Sequence, residues 1–291
     1  KNRKIMLDFS SLNGCRYAVI GFPVSHSLSP VMHNAAFAAC GIPVKYGKIA
    51  VPPEDVEAFS EYARFHLDGF NITVPDKGAV IPFLDEITPT AEVAHSVNTV
   101  KVIEGKLFGD STDGFGLARA LWEAFQLPIQ GSRFCFVGAG GAVHAAASFF
   151  AAEGAAEIVV MNRTIATAEV LVKALSAFFP SLQAQALPLS GADEEVRRVV
   201  ASCDVLIQAT SLGLKDEDPS PLPATIVQYA RRVFDTIYRD TAFQKIAVAA
   251  GIPTATGEDM LLYQGARSFE IWTGRTAPVE IMRQALAAAR S

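Results

Sequence analysis

Hydrophobic and polar positions alternate in short blocks along the first third of this chain. Apolar runs of the length of buried strands are followed by stretches with a helical period. The pattern predicts strands over 17–21, 44–51 and 70–74 and helices over 30–40 and 53–65. Ser29-Pro30 offers an N-cap and an N1 proline for the first of these helices. Strand and helix in alternation predict an open α/β sheet.

The next segment predicts a hairpin and then a connecting helix. The apolar runs 96–103 and 107–109 flank Glu104-Gly105, which is typical of a β-hairpin. Asp113 can cap the helix that follows, in which apolar residues recur at every fourth position. We therefore predict that a first domain covers residues 1–113.

A second domain is predicted over residues 114–258. The apolar run 133–137 leads through glycines into an Ala-rich helix, and further strand candidates follow at 157–161, 204–209, 233–237 and 253–255. Strands alternating with helices in this way predict a doubly wound, Rossmann-like parallel sheet. The closing segment 259–291 is predicted to be helical and to pack back on the first domain.

The glycines after the run 133–137 indicate a dinucleotide cofactor. A strand, a tight turn and a helix let the backbone approach a pyrophosphate, whose charge the helix N-terminus favours. The turn residues are Gly138, Ala139, Gly140, Gly141 and Ala142. Val143 stands where a third glycine is expected, so the turn alone is equally compatible with a purely structural role.

The end of the next strand indicates which dinucleotide is bound. An NAD site is expected to carry a ribose-binding acid there, but the chain has Asn162, Arg163 and Thr164. A guanidinium beside two small polar side chains suits a 2′-phosphate better than a free 2′-hydroxyl. We predict NADP in preference to NAD, with an ordinary surface arginine as the other interpretation of Arg163.

Composition narrows the class of protein. The chain has 291 residues, of which 50% are hydrophobic, enough for two domains with separate cores. Its net charge of −5 and the absence of a Lys/Arg run argue against binding to nucleic acid or to an anionic membrane. The 4 cysteines form no CxxC pair, the 5 histidines show no zinc-like spacing, and no apolar stretch reaches membrane-spanning length. We predict a cytoplasmic protein without a metal, as a monomer or a homodimer.

Polar side chains cluster at the predicted strand ends of the first domain. Strand alternation sends Asn71 and Thr73 to one face, and Lys77 follows after Pro75. Serines near residue 27, the amide of Asn98 and the acids around residue 113 complete the set. Each of these is by itself an ordinary turn or cap residue, but together they predict a small polar pocket where α/β sheets bind ligands.

The order of these motifs resembles the shikimate dehydrogenase family over about residues 17–274. The series is SHSLSP, NITVPDK, SVNTV, GDSTDGFG, GAGGA, NRT, QATSLG and GEDMLLYQGARSFEIWTG. The resemblance implies a reversible, NADP-linked oxidation of the C3 hydroxyl of shikimate to 3-dehydroshikimate, a step of aromatic amino-acid biosynthesis. Its substrate would be a small molecule.

The resemblance also implies roles for individual residues. Lys77 and Asp113 would be catalytic at the reacting hydroxyl, and either of them remains a candidate for the proton carrier. Ser27 and Ser29 would bind the substrate carboxylate. The remaining substrate-binding residues would be Asn71, Thr73, Asn98, Tyr238 and Gln264, and the cofactor-binding residues would be the turn 138–142, Asn162, Arg163, Thr164 and Thr210.

The chain departs from the family pattern at several positions. Asp76 precedes Lys77 where relatives carry a large uncharged residue or histidine, and Thr167 replaces a second basic residue, which leaves the NADP preference to Arg163. Ser96 and Gln208 replace a small residue and an asparagine. After Tyr238 the usual Pro-containing turn is missing, so the shape of that loop is open.

Three alternatives remain open at this point. A quinate or aminoshikimate dehydrogenase of the same family, with NADP or NAD as its cofactor, would use the same scaffold. A non-catalytic NADP sensor would have no need of both Lys77 and Asp113. A purely structural dinucleotide-binding subunit would leave the polar set of the first domain without a purpose.

Overall fold

The computed structural model describes residues 8–189 and 194–290. The described residues divide into two compact units. Unit 1 takes in the residues up to Thr112 and those from Gln264 onward, and unit 2 is Asp113–Tyr263. Each unit contains one 6-stranded sheet.

The sheet of unit 1 is mixed. Its strands are β1 (Tyr17–Gly21), β2 (Tyr46–Ala50), β3 (Gly69–Ile72), β4 (Glu86–Ile87), β5 (Thr99–Ile103) and β6 (Lys106–Asp110), and their order is β2-β1-β3-β5-β6-β4. The first three run parallel, β5 is antiparallel to β3 and to β6, and β4 is parallel to β6. The carboxyl ends of β1, β2, β3 and β6 therefore share an edge with the amino end of β5.

Helices connect these strands and cover an apolar core. They are α1 (Ser29–Ala39), α2 (Val56–His66) and α3 (Pro89–Ala94), with short 3-10 turns at Phe9–Leu12, Pro53–Asp55 and Ile81–Phe83. On one face of the sheet Phe59 of α2 meets Phe70 of β3 edge to face, with ring centroids 5.0 Å apart. Both rings are fully buried, so this pair joins α2 to the sheet within the apolar core.

The other face of the sheet is covered by α1 and by the end of the chain. Helix α10 (Glu258–Thr273) crosses from unit 2 into unit 1, and α11 (Val279–Ala288) packs against α1. Trp272 of α10 donates its indole N–H to the carbonyl of Val100 at 2.9 Å and lies 4.9 Å from the Tyr17 ring. Gly69 makes room for it, since a Cβ there would come within 2.5 Å of the indole nitrogen. The predicted helical return onto the first domain is confirmed.

Unit 2 contains an all-parallel, doubly wound sheet. Its strands are β7 (Arg133–Val137), β8 (Glu157–Asn162), β9 (Gln183–Pro188), β10 (Val205–Gln208), β11 (Val233–Asp235) and β12 (Thr254–Thr256), and their order is β12-β11-β10-β7-β8-β9. All five pairings are parallel. The chain goes from β7 outward to β9 and returns to β10 on the other side of β7. The strand order thus reverses between β7 and β10, which is where such sheets bind ligands.

Helices cover both faces of this sheet. They are α4 (Asp113–Phe125), α5 (Gly141–Ala152), α6 (Ile165–Phe178), α7 (Glu194–Ser202), α8 (Ala224–Val227) and α9 (Ala242–Ala249). Side chains of β7 alternate, so that Phe134 and Phe136 meet Phe150 of α5 while Cys135 and Val137 enter the core on the opposite face. The predicted α/β fold class with a Rossmann-like domain is confirmed.

Three details differ from the sequence-based expectations. Ser29 is the first residue of α1 rather than its cap; Leu28 takes the cap position and makes no side-chain capping bond. Strand β9 escaped prediction, because its alternating Gln and Ala residues lack an apolar face and it forms the sheet edge. The hairpin strand β5 begins at Thr99 rather than near residue 96. None of the helices in the described part of the chain is long and apolar enough to cross a membrane.

Candidate active site

The predicted substrate-side residues of unit 1 lie at one edge of its sheet. Asn71 is in β3 opposite Thr99 of β5, and Thr99 is in turn opposite Asp110 of β6. Asn98 immediately precedes β5, and its carbonyl accepts the N–H of Ile72 at 2.9 Å. The sheet register therefore brings Asn71 and Asn98 together although they are 27 positions apart.

Asn71 has every polar atom engaged within unit 1. Its amide nitrogen donates to the Asn98 carbonyl at 3.0 Å and lies 3.0 and 3.1 Å from the hydroxyls of Thr99 and Ser268. Its amide oxygen accepts from the hydroxyl of Tyr46 at 2.7 Å. A carbonyl only accepts, so the contact with Asn98 fixes which end of the amide is nitrogen. The side chain is consequently locked in one orientation.

Asn98 is held in the same way and connects to Gln264. Its amide oxygen accepts the backbone N–H of Thr112 at 2.8 Å, and its nitrogen donates to the Thr112 hydroxyl at 3.0 Å and to the Gln264 amide oxygen at 3.3 Å. The Ser268 hydroxyl joins Thr99 at 2.8 Å and donates to the Gln264 carbonyl at 3.0 Å. Three of the predicted substrate-binding residues thus belong to one buried network.

The predicted carboxylate-binding serines lie in the segment between β1 and the start of α1. The backbone N–H of Ser29 donates to the Ser27 hydroxyl at 3.3 Å. The ammonium group of Lys48, a residue of β2, donates to the Ser25 carbonyl of this segment. A cation from β2 is therefore bonded to the segment that carries these hydroxyls, a composition that suits a carboxylate.

Thr73 and Lys77 lie on the loop that follows β3. The N–H of Thr73 donates to the Ile20 carbonyl at 2.8 Å, and the N–H of Val97 donates to the Lys77 carbonyl at 2.9 Å. The second bond ties the Lys77 backbone to the residue that precedes Asn98. Both side chains are half-buried. The loop is therefore anchored at both ends to the edge that carries the amide network.

The glycine turn of unit 2 follows β7, at the point where the strand order reverses. Gly138 has a φ of +110°, and a Cβ there would lie 2.9 Å from the Ala209 carbonyl oxygen, so only glycine fits. Gly140 precedes α5 and no side chain caps this helix. The N–H groups of its first turn have no partner within the helix. Gly140 and Gly141 are exposed. An anion can therefore approach the backbone closely here.

The 2′-phosphate candidates lie at the end of the adjacent strand. Asn162 ends β8 and donates from its amide to the Thr164 carbonyl at 3.0 Å, and Thr164 is the cap residue of α6 without a capping bond. Arg163 and Thr164 are exposed. No carboxylate ends the strand, so the residues present fit a phosphorylated ribose better than a free diol.

Gln208 shapes the loop after β10, a role that the sequence flagged only as a departure. It is fully buried, accepts the N–H of Thr210 with its amide oxygen, and donates to the Leu212 carbonyl at 2.8 Å. The Thr210 hydroxyl accepts the N–H of Leu212 at 3.1 Å. Because Gly138 contacts Ala209 of this loop, the predicted cofactor residue Thr210 lies beside the glycine turn.

The remaining predicted residues, Asp113 and Tyr238, belong to unit 2. Asp113 is buried and begins α4. Tyr238 is 43% exposed, in a loop held by the buried carboxylate of Asp235, which accepts the Ile237 N–H at 3.0 Å and the Thr241 hydroxyl at 2.6 Å. This loop takes the place of the Pro-containing turn that the family resemblance leads one to expect.

Sequence reasoning missed four members of the unit 1 network. They are Tyr46, Thr99, Thr112 and Ser268, all of them buried. Tyr46 and Ser268 read as ordinary strand and helix core residues, since nothing local marks their hydroxyls as partners of Asn71. Among the described residues, no group of three or more His, Cys, Asp or Glu side chains could hold a metal ion.

A Rossmann-like unit joined to an α/β unit with a polar sheet edge defines the class of two-domain, nicotinamide-dependent dehydrogenases. Three family models match the chain: the shikimate dehydrogenase substrate binding domain over residues 19–100, shikimate/quinate 5-dehydrogenase over 121–214, and the shikimate 5′-dehydrogenase C-terminal domain over 257–287. The chain belongs to the shikimate dehydrogenase family, which confirms the resemblance of its motifs.

Individual relatives cover nearly the whole chain. Shikimate dehydrogenase (NADP(+)) of Methanopyrus kandleri is 40% identical over 92% of this chain and 93% of its own. Shikimate 5-dehydrogenase from Listeria monocytogenes, solved in complex with shikimate and NAD, is 34% identical with a TM-score of 0.87 over 94% of this chain and 96% of its own. The shikimate 5-dehydrogenase of Thermus thermophilus, solved with NADP(H) and shikimate, is 36% identical. Its TM-score is 0.81, over 94% of this chain and 99% of its own.

Proposed function

We propose that this protein catalyses the reversible, NADP-dependent interconversion of shikimate and 3-dehydroshikimate. The observation that carries the proposal is the continuous amide and hydroxyl network of unit 1, which contains Asn71, Asn98 and Gln264 in a member of this family. A ring with several hydroxyls and one carboxylate needs this combination of donors and acceptors. In this proposal unit 1 is the substrate-binding domain and unit 2 the dinucleotide-binding domain.

On the substrate side, Ser27 and Ser29 bind the carboxylate and Asn71, Thr73, Asn98, Tyr238 and Gln264 surround the ring hydroxyls. What supports this assignment is the hydrogen bonding that links Asn71, Asn98 and Gln264, together with the bond between Ser29 and Ser27. Side chains whose orientation is fixed before binding lose little entropy when the substrate arrives. A site built this way discriminates strongly against analogues that leave its polar groups unpaired.

On the cofactor side, the turn 138–142 holds the pyrophosphate, Asn162, Arg163 and Thr164 hold the 2′-phosphate, and Thr210 lies beside the turn. The uncapped start of α5 and the glycine-only conformation at Gly138 support the first assignment. The exposed guanidinium of Arg163 and the lack of a strand-end acid support the second. Bound NADP supplies the hydride acceptor of the oxidation.

Oxidation of a secondary alcohol also releases the hydroxyl proton, and we assign its transfer to Lys77 and Asp113. As the C3 hydride leaves, the O–H bond breaks and its electron pair forms the carbonyl, so a base has to take the proton. Lys77 is carried by a loop tied to Val97, and Asp113 is a buried carboxylate that directly follows Thr112 of the network. The two residues share this step, and either of them can be the immediate acceptor.

We further propose that the protein works in the cytoplasm, as a monomer or a homodimer. All four cysteines are free thiols, including the buried Cys135 and Cys203, which suits a reducing compartment.

The test is the initial rate of reduced-nicotinamide formation with shikimate or quinate, each paired with NADP or NAD. The proposal predicts fast turnover with shikimate and NADP and slow turnover with the other three pairs. The Arg163→Ala variant should raise the KM for NADP by about 10- to 100-fold, the size of a charge-assisted contact, and leave the KM for NAD within about twofold.

The Arg198→Ala variant is the matched control, because Arg198 is an exposed arginine of α7 in the same unit. A preference for quinate or for NAD would move the protein to the paralogue class. No turnover of any pair would contradict the proposed reaction, and equal effects of both arginine variants would remove Arg163 from the cofactor site.

A further inference from the structure

We propose that Tyr46 is a positioning residue for substrate binding, which holds Asn71 in its binding orientation through its hydroxyl group. The inference rests on the proposed function, because it assigns Asn71 to the ring hydroxyls of the substrate. Tyr46 itself is the first residue of β2 and is 3% exposed. It therefore acts through the Asn71 side chain rather than by contact with the substrate.

The direction of each hydrogen bond follows from the partners. The Asn71 nitrogen faces the Asn98 carbonyl at 3.0 Å, so its oxygen is the atom 2.7 Å from the Tyr46 hydroxyl. That oxygen only accepts, and the tyrosine must donate its single proton to it. The Asn71 oxygen keeps its second lone pair, which can accept a hydroxyl group of the substrate.

Burial keeps this donor permanently protonated. Loss of water raises the pKa of the Tyr46 hydroxyl well above its usual value, and the Ser29 side chain lowers that pKa by a smaller amount. The hydroxyl is thus a donor across the whole range in which the enzyme operates. Asn71 consequently keeps the same orientation at every pH of interest.

The ring of Tyr46 is fixed by its neighbours as firmly as its hydroxyl. The His33 ring stacks on it at a centroid distance of 4.6 Å and an interplanar angle of 12°, and Trp272 lies 6.0 Å away. His33 is fully buried, and neither ring nitrogen has a hydrogen-bond partner in the described part of the chain; burial lowers its pKa to about 3. The imidazole is therefore neutral and packs as a flat ring against the tyrosine.

The fold also ties Tyr46 to α1 through the backbone. Its N–H donates to the side-chain oxygen of Asn34 at 2.9 Å, and its carbonyl accepts from the Asn34 nitrogen at 3.0 Å. Ser29, His33 and Asn34 all belong to α1, whereas Asn71 belongs to β3. Tyr46 is thus the link between the helix that begins at the predicted carboxylate site and the strand that ends at the predicted hydroxyl site.

The test compares Tyr46→Phe with the matched control Tyr17→Phe. Tyr17 is a buried tyrosine of the same sheet whose ring stacks 4.9 Å from Phe37, outside the network of Asn71. Tyr46→Phe keeps the stacking on His33 but leaves the Asn71 oxygen without its donor. We expect the KM for shikimate to rise about tenfold, with kcat and the KM for NADP within about twofold of the unsubstituted protein.

Two further measurements keep the proposal open to refutation. In a double-mutant cycle, Asn71→Ala combined with Tyr46→Phe should cost less in shikimate affinity than the two single effects multiplied, because Tyr46 acts through the Asn71 side chain. Melting temperatures of both tyrosine variants check that each is folded. A Tyr46→Phe protein that does not fold would overturn the positioning role, since the hydroxyl would then serve the fold.

The failure of this inference is distinguishable from failure of the proposed function. If the unsubstituted protein does not turn over shikimate, the function itself is wrong. If it does, and Tyr46→Phe has the same shikimate KM as Tyr17→Phe, Tyr46 does not position the substrate site. A tenfold change in both KM values would likewise contradict the inference, because it would indicate a general loss of structure.

Discussion

Asp76, one position before Lys77, has a buried carboxylate that accepts no hydrogen bond among the described residues. It is fully buried, and neither carboxylate oxygen has a hydrogen-bond partner among the described residues. Burial, and to a smaller extent the charge of Glu54, raise its pKa from 3.8 to about 6. The folded protein therefore binds a proton at Asp76 more tightly than the unfolded chain does, and loses stability as pH rises from about 4 through 6.

We predict that Asp76→Asn stabilises the protein at pH 8 but not at pH 5. At pH 8 the unsubstituted protein has an unpaired buried charge, whereas the amide carries none. We expect a gain on the order of 1–2 kcal/mol in the free energy of unfolding, in the range for an unsatisfied buried polar group. At pH 5 Asp76 is mostly protonated, and the difference should vanish. Denaturant unfolding at both pH values measures it.

Glu57→Gln is the control for this prediction, because Glu57 is an exposed carboxylate of the neighbouring helix α2. It should leave the free energy of unfolding nearly unchanged at both pH values. The same gain from Asp76→Asn at pH 5 and pH 8 would show that the effect is not one of ionisation.

At the scale of elements, the loop after β10 depends on a single buried side chain. Gln208 accepts from the backbone of Thr210 and donates to the backbone of Leu212, so one amide satisfies both sides of the turn. These two side-chain hydrogen bonds satisfy a backbone N–H and a backbone carbonyl that have no strand or helix partner in a loop. The conformation of the loop, and with it the place of Thr210 beside Gly138, follows from this residue.

Removal of that amide should weaken cofactor binding selectively. Gln208→Ala leaves an N–H and a carbonyl of the loop unpaired, so we expect the KM for NADP to rise about tenfold and the KM for shikimate to change by less than about twofold. The control is Gln185→Ala, since Gln185 is in the edge strand β9 and its side chain donates to the Glu195 carboxylate. Steady-state kinetics of both variants measure these KM values. Equal KM values for NADP in the two variants would show that Gln208 does not support cofactor binding.

Elements with strong periodicity could be predicted from the sequence, and those shaped by tertiary contacts could not. The run 133–137 and its glycine turn emerge as β7 and the start of α5. Ser29 has the residue type of an N-cap, but it is already the first residue of α1, and its N–H donates to the Ser27 hydroxyl. The residue type of Ser29 therefore does not by itself place the start of the helix.

For the whole molecule, the order of the motifs was enough to predict the class and the family of the protein, but not the hydrogen bonds within the site. Asn71, Asn98 and Gln264 were predicted because they stand in recognisable motifs. Tyr46 and Ser268 were missed because they lie 25 and 197 positions from Asn71, the residue they bond. The residues around a hydroxyl in an apolar stretch do not indicate which residue it will bond. At such sequence separations the partner is decided by sheet register and helix packing.

The most specific prediction follows from the different locations of the proposed catalytic lysine and of the proposed cofactor residues. The proposed cofactor residues all belong to unit 2, whereas Lys77 belongs to unit 1, so a change at this lysine should affect turnover without affecting cofactor affinity. Lys77 belongs to unit 1, on the loop whose backbone is bonded to Val97. A general acid or base contributes about 10² to 10⁴ in rate.

The most direct measurement is therefore kcat for shikimate oxidation by Lys77→Ala, together with its Kd for NADP. The account predicts that kcat falls by about 10²- to 10⁴-fold while the Kd changes by less than about threefold. Lys106→Ala, a change at an exposed lysine of β6, should match the unsubstituted protein in both. Near-normal turnover by Lys77→Ala would contradict the assignment of the active site to this edge of unit 1.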